Sequence, residues 1–126
     1  MKAKYGDIIY IKEAYYRHYG IYINEENVIH YDGKKDDFWL RKMQIRQTNM
    51  NRFLGSNNKY HVCRGRGKYD EIQTVKRAKS RIGEEKFDLV YNNCEHFSRW
   101  CKSGHHRSNQ VNYVCLLVLT LLYKSC

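Results

Sequence analysis

The hydrophobic and polar positions divide the chain into a strand-rich first half and a helical second half. Asp7-Ile8-Ile9-Tyr10-Ile11-Lys12 is nearly continuous in apolar and aromatic residues and predicts a strand. His18 to Ile23 and Asn27 to Tyr31 predict two more, on either side of the polar turn Asn24-Glu25-Glu26. Lys12 to Tyr16 is a connector. From Asp32 to Asn58 the pattern is mixed, with Phe38, Trp39, Leu40 and Ile45 as expected core contacts. Tyr60 to Cys63 predicts a further strand, and the Gly-rich Arg64–Lys68 segment a loop.

The period then changes. Ile72, Val75, Ala78/Lys79 and Ile82 recur at three- and four-residue steps, which predicts a helix ended by Gly83. After a short link at Phe87–Val90, Asn92 or Asn93 can cap a second helix. Its apolar stripe is Cys94, Phe97, Trp100 and Cys101, and Gly104 stops it. No internal repeat is visible. The expected class is α+β, an antiparallel sheet flanked by helices.

At 126 residues the chain has room for one domain. A hydrophobic share of 42% against 29% charged is ordinary for a globular protein and excludes a disordered one. The formal charge of +10 fits an anionic partner, either nucleic acid or a membrane face, and equally fits a solvated basic surface. Arg64-Gly65-Arg66-Gly67-Lys68 with Tyr60 and Tyr69 could stack and pair with single-stranded nucleic acid, but such loops are more often plain surface. Nucleic acid is therefore not the expected partner.

The first residues lack an apolar secretory core, and five cysteines without repeated spacing do not form a disulfide framework. A reducing, cytoplasmic setting is expected. The stretch from Ser108 to Tyr123 carries no charge, and its Val111–Tyr123 core is strongly apolar but shorter than the roughly 20 residues of a spanning helix. We read 1–107 as the domain and 108–126 as an apolar tail, either a short membrane anchor or a buried terminal helix.

The candidate chemistry begins at Cys94. With Asn93 as N-cap, the thiol lies in the first helical turn, beside unpaired N–H groups and the positive end of the helix dipole. That position favours a thiolate, with a pKa lowered from about 8.5 towards about 3.5–7.5. A nucleophilic thiol also needs a base, and His18 and His30 are the candidates. A three-residue loop between their strands puts Gly20 opposite His30 and His18 diagonal to it on the same face, roughly 7–8 Å away. The imidazoles could then approach across the missing side chain of Gly20. A four-residue loop shifts the register and separates them. The density of Cys94, His96, Cys101, His105 and His106 could suggest zinc. Cys94 and His96 would point to different sides of a helix, however, and no Cys-x-x-Cys occurs, so no metal is expected.

Read together, these segments resemble a known family. Tyr5-Gly6-Asp7-Ile8-Ile9, Tyr16-Arg17-His18-Tyr19-Gly20-Ile21-Tyr22-Ile23 and Val28-Ile29-His30-Tyr31 are similar to the histidine block of the lecithin:retinol acyltransferase (LRAT) family. The branch most resembled is the phospholipase A/acyltransferase (Ras-suppressor-like) one. Asn93-Cys94-Glu95-His96-Phe97 matches its cysteine motif, and Arg107–Val111 before the tail is similar too. Where the family commonly has Trp-Ala after the first histidine, this chain has Tyr19-Gly20.

The resemblance implies a circularly rearranged papain-like (NlpC-type) fold without metal or organic cofactor. It implies Cys94 as nucleophile, His18 as general base and His30 as the residue orienting His18. Glu95 and His96 would support the helix or its packing. The implied reaction passes an acyl group from a phospholipid through a thioester to water or to a lipid amine such as phosphatidylethanolamine. The setting would be a membrane surface, with the tail as attachment. The alternative is a catalytically silent module of the same fold that binds membrane, protein or nucleic acid.

Overall fold

The turn at Asn24-Glu25-Glu26 sets the register of the sheet's centre. Ile23 donates its N–H to Asn27 O at 3.1 Å, so three residues form the loop. Strands β2 (Arg17–Tyr22) and β3 (Asn27–Asp32) then pair Tyr22 with Val28, Ile21 with Ile29 and Gly20 with His30. This is the register that the three-residue loop predicts. The computed structural model describes residues 2–13, 16–33, 43–65, 67–87, 92–106 and 108.

Around this hairpin, β1 (Ile8–Lys12), β4 (Gln44–Asn49) and β5 (His61–Cys63) complete an antiparallel sheet of order β4-β3-β2-β1-β5. Among the described residues three helices accompany it: α1 (Met50–Leu54), α2 (Glu71–Ser80) and α3 (Cys94–Ser103). The class is α+β, as expected. Both faces of the central strands are covered, which explains why β1 reads as a continuous apolar run. Ile8, Tyr19, Ile21, Ile29, Tyr31 and Ile45 pack with Val75 and Ala78 of α2 and Phe97 and Cys101 of α3. On the opposite face Ile9, Ile11, Tyr22 and Val28 pack with Met50 and Phe53 of α1.

Three elements depart from the expectation. Strand β4 and helix α1 lie in the segment whose pattern was mixed. Gln-Ile-Arg-Gln-Thr-Asn has a single fully buried residue, Ile45, and the strand is fixed by its ladder to β3. Its outer edge is also held, because Ile45 takes the Gly83 N–H and gives its own to Glu84 O. Helix α2 ends at Ser80 with Arg81 as cap, short of Gly83, and buries Thr74, Val75 and Ala78. Ile72 and Ile82, expected on its buried stripe, are 63% and 45% exposed. Gly83, at φ 97°, makes the turn into the β4 edge contact instead. Phe38, Trp39 and Leu40, and the apolar tail except Ser108, lie outside the described residues. Among the described residues no helix is long and apolar enough to cross a membrane.

Candidate active site

Helix α3 starts where the sequence places it. Asn93, in extended conformation, accepts the N–H groups of Glu95 at 2.9 Å and His96 at 3.1 Å through its side-chain oxygen. His96 Nδ1 takes the Asn93 N–H in return at 3.2 Å, closing a capping box with imidazole in the place usually held by Glu or Gln. Gly104, at φ 78°, ends the helix in the left-handed region and donates to Trp100 O. The buried Glu95 carboxylate pairs with Arg99 at 2.9 Å and accepts Ser108 Oγ–H at 2.6 Å. Glu95 and His96 thus hold the helix and its surroundings together.

Cys94 opens the helix and reaches into the sheet. Continuing the β2–β3 register by one step would set Tyr19 opposite Tyr31, in the hydrogen-bonded alternation that Ile23 and Asn27 begin. The Tyr19 N–H donates instead to Cys94 Sγ at 3.5 Å. The thiol in turn donates to Arg17 O at 3.7 Å. The sulfur therefore sits against the main chain on both sides of His18. It enters from the α3 face, at a point where the ladder between β2 and β3 has ended.

The imidazoles come from the other face. His18 Nε2 and His30 Nδ1 are 2.9 Å apart, with their rings nearly perpendicular. Phe53 of α1 backs both rings, at centroid distances of 5.2 Å and 5.0 Å. Gly20, between them on β2, makes the approach possible. A Cβ there would lie 2.8 Å from Val28 Cγ1 and 3.2 Å from His30 Cβ. Tyr31 O, which a continued ladder would have paired with Tyr19, lies 3.0 Å from His30 Nδ1. Thr48 Oγ1 lies 2.8 Å from His30 Nε2.

The electrostatics correct one expectation. Cys94 does not have a lowered pKa; burial pushes its thiol up to about 11. The N–H groups of Tyr19, Glu95 and Cys94 itself pull the other way, and the Glu95 carboxylate adds to the rise. A helix start does favour a thiolate, but desolvation of this sulfur outweighs the few N–H dipoles aimed at it. His30, 2% exposed, is lowered to about 4, chiefly by burial and further by Arg52. Asp32 and the Tyr31 carbonyl oppose that shift. At neutral pH the resting site therefore holds a thiol and an uncharged His30.

Sequence reasoning missed Thr48 and Phe53, because both belong to elements without a readable period. Cys63 and Cys101, the other described cysteines, are free thiols; Cys101 is buried and pushed up to about 12.

A five-stranded antiparallel sheet with paired strand histidines and a cysteine at a capped helix start defines the class of domain. The chain matches the family described as lecithin retinol acyltransferase over residues 1–107, and it belongs to that family. Among curated relatives it is 30% identical to mouse phospholipase A and acyltransferase 1 over 122 residues, which is 85% of this chain and 72% of the relative. It is 27% identical to human phospholipase A and acyltransferase 2 over 124 residues, 87% of this chain and 76% of the relative.

Proposed function

We propose that this chain is a phospholipid acyltransferase and phospholipase A that works through an acyl-thioester on Cys94. The observation that carries the reading is the seat of the Cys94 sulfur against Arg17 O and Tyr19 N, flanking a histidine already paired with a second. Family membership and relatives named as phospholipase A and acyltransferase support it.

The raised thiol pKa shapes the mechanism. At neutral pH few molecules carry a thiolate, so His18 acts as a general base during attack. His18 Nε2 faces His30, so the proton is taken at Nδ1. As the S–H bond breaks, sulfur bonds to the ester carbonyl carbon and the carbonyl π pair moves to oxygen. We assign stabilisation of that oxyanion to main-chain N–H at the start of α3, with the Cys94 N–H foremost, since Asn93 binds those of Glu95 and His96. The intermediate collapses, the ester C–O bond breaks, and His18 returns its proton to the departing lysophospholipid oxygen. Water, or the amine of phosphatidylethanolamine, then loses a proton to His18 while attacking the thioester; the C–S bond breaks, His18 returns that proton to the departing Cys94 sulfur, and a fatty acid or an N-acyl lipid is released. His30 orients His18 throughout.

The same reading takes in a circularly rearranged papain-like (NlpC-type) fold, a domain of residues 1–107, and a tail that brings the domain to a cytosol-facing membrane. No metal or organic cofactor enters the reaction. A second reading, a silent module binding membrane or protein, is favoured only by the burial of the sulfur. Incubation with phosphatidylcholine vesicles separates the two. The enzyme releases fatty acid and lysophospholipid, and adding phosphatidylethanolamine diverts acyl chains into N-acyl product. Cys94→Ala and His18→Ala abolish both. Wild type that releases no fatty acid or lysophospholipid above the vesicle background would leave the silent module standing, and equal turnover by Cys94→Ala would move the nucleophile to another residue.

A further inference from the structure

The ring contacts of His30 run from His18 on β2 to Thr48 on β4. His30 is buried and has two polar neighbours at Nδ1, His18 Nε2 at 2.9 Å and Tyr31 O at 3.0 Å. Its other nitrogen, Nε2, has Thr48 Oγ1 at 2.8 Å. Neutral imidazole carries one ring proton, so one of these nitrogens donates and the other accepts. Thr48 sits on the same face as His30 and diagonal to it across the β3–β4 ladder, where Val28 faces Thr48 and His30 faces Arg46. The Thr48 hydroxyl lies between His30 Nε2 and Asn49 O, the latter at 3.1 Å, and Asn49 O can take its single proton, which frees the oxygen to accept from His30.

We propose that Thr48 is a positioning residue: by accepting the Nε2–H of His30, it fixes the tautomer whose Nδ1 lone pair holds His18. This deepens the reading above, in which His18 takes the Cys94 proton at Nδ1. Hydrogen bonds then run in one direction, His18 Nε2–H to His30 Nδ1, His30 Nε2–H to Thr48 Oγ1, and Thr48 Oγ1–H to Asn49 O. The chain is satisfied with His18 neutral, and equally once His18 carries a second proton. In the opposite tautomer His30 Nδ1–H points at Tyr31 O and His18 Nε2. His18 then becomes an acceptor at Nε2, its own proton moves to Nδ1, and it can no longer take one there. Tyr31 O favours that unproductive state, and Thr48 is the counterweight. Asn49 steadies the arrangement, because it is also the N-cap of α1, whose Phe53 backs both rings.

The test compares wild type, Thr48→Val and Thr48→Ser. Valine keeps the shape and suits a strand but has no acceptor, whereas serine keeps the oxygen. Two-bond nitrogen–proton NMR correlations at neutral pH report which nitrogen of His30 carries the proton. The same samples are assayed for single-turnover acylation of Cys94 by an activated acyl ester. Wild type and Thr48→Ser are expected with His30 protonated at Nε2, and Thr48→Val with the proton moved to Nδ1. Acylation by Thr48→Val is expected to fall by about 10- to 100-fold, the range for removing a partner that orients a functional imidazole, and serine restores it. A His30 proton on Nδ1 in wild type, or a tautomer unchanged in Thr48→Val, overturns the proposal. If the tautomer moves as expected while no protein, wild type included, acylates at Cys94, the hold of Thr48 on His30 stands and the acyl-transfer reading falls.

Discussion

Gly20 stands directly opposite His30 in the β2–β3 ladder, and the space a Cβ would need at Gly20 is already taken. That Cβ would come within 2.8 Å of Val28 Cγ1 and 2.9 Å of Phe53 Cε1. Both neighbours are buried, so neither can swing into solvent. Gly20→Ala is expected to cost about 1–3 kcal/mol by overpacking, read as a lower urea midpoint at unchanged slope. Adding Phe53→Leu, which removes the Cε1 atom, should recover part of the loss. A Gly20→Ala protein as stable as wild type would show that the strands separate easily, and would weaken the case for a tightly held histidine pair.

The depressed pKa of His30 makes stability depend on pH in a stated direction. The unfolded chain takes up this proton near 6.5 and the folded protein only near 4. Between those values the unfolded state binds more protons, so stability is full above about 6.5 and falls as pH drops towards 4, by at most about 3 kcal/mol. Glu84, held down to about 2 by Arg81, adds its own loss only below its ordinary 4.5, so the two windows separate. Denaturant midpoints measured from pH 7 to 4 check this. His30→Gln should flatten the upper window, and an unchanged slope there would assign it to other groups.

Burial of the Cys94 thiol predicts slow alkylation of the resting protein. A pKa of about 11 against the ordinary 9.0 lowers the thiolate fraction at neutral pH by about 100-fold. Peptide mapping after brief iodoacetamide exposure at neutral pH should find Cys63, which is half-buried, modified ahead of Cys94. Fast selective labelling of Cys94 without substrate would mean a preformed thiolate.

Glu95 is fully buried and its carboxylate pairs with Arg99. Arg99→Leu removes that cation and is expected to cost about 3–5 kcal/mol. Combining it with Glu95→Gln removes the acidic partner as well and should return most of the loss. Thermal unfolding of the two single variants and the double variant checks the coupling, and additive effects would contradict it.

Much of the site was legible because its signals are local. The Asn24-Glu25-Glu26 turn fixes the β2–β3 register through three residues, and that register alone brings His18 towards His30. Asn93 and Gly104 announce the ends of α3 by their own chemistry. What was not legible is what other parts of the chain impose. Strand β4 has one inward apolar side chain, so it shows no alternation, and the five residues of α1 are too few for a helical period. Thr48 and Phe53 were missed with them. The reversed pKa of Cys94 has the same origin, since helix position is written in the sequence whereas desolvation depends on β2 and the surrounding core. At α2 the isoleucines kept helical spacing, yet the packed face is the one carrying Thr74, Val75 and Ala78.

The most direct measurement of the central claim is the intact mass of the protein, with peptide mapping, after rapid mixing with phosphatidylcholine vesicles and acid quenching. We expect a gain of one acyl chain on the Cys94 peptide, labile to hydroxylamine as a thioester, in wild type. It should be absent in Cys94→Ala and strongly reduced in His18→Ala. An acyl adduct of full stoichiometry that persists in Cys94→Ala would contradict the account and assign the nucleophile to another residue.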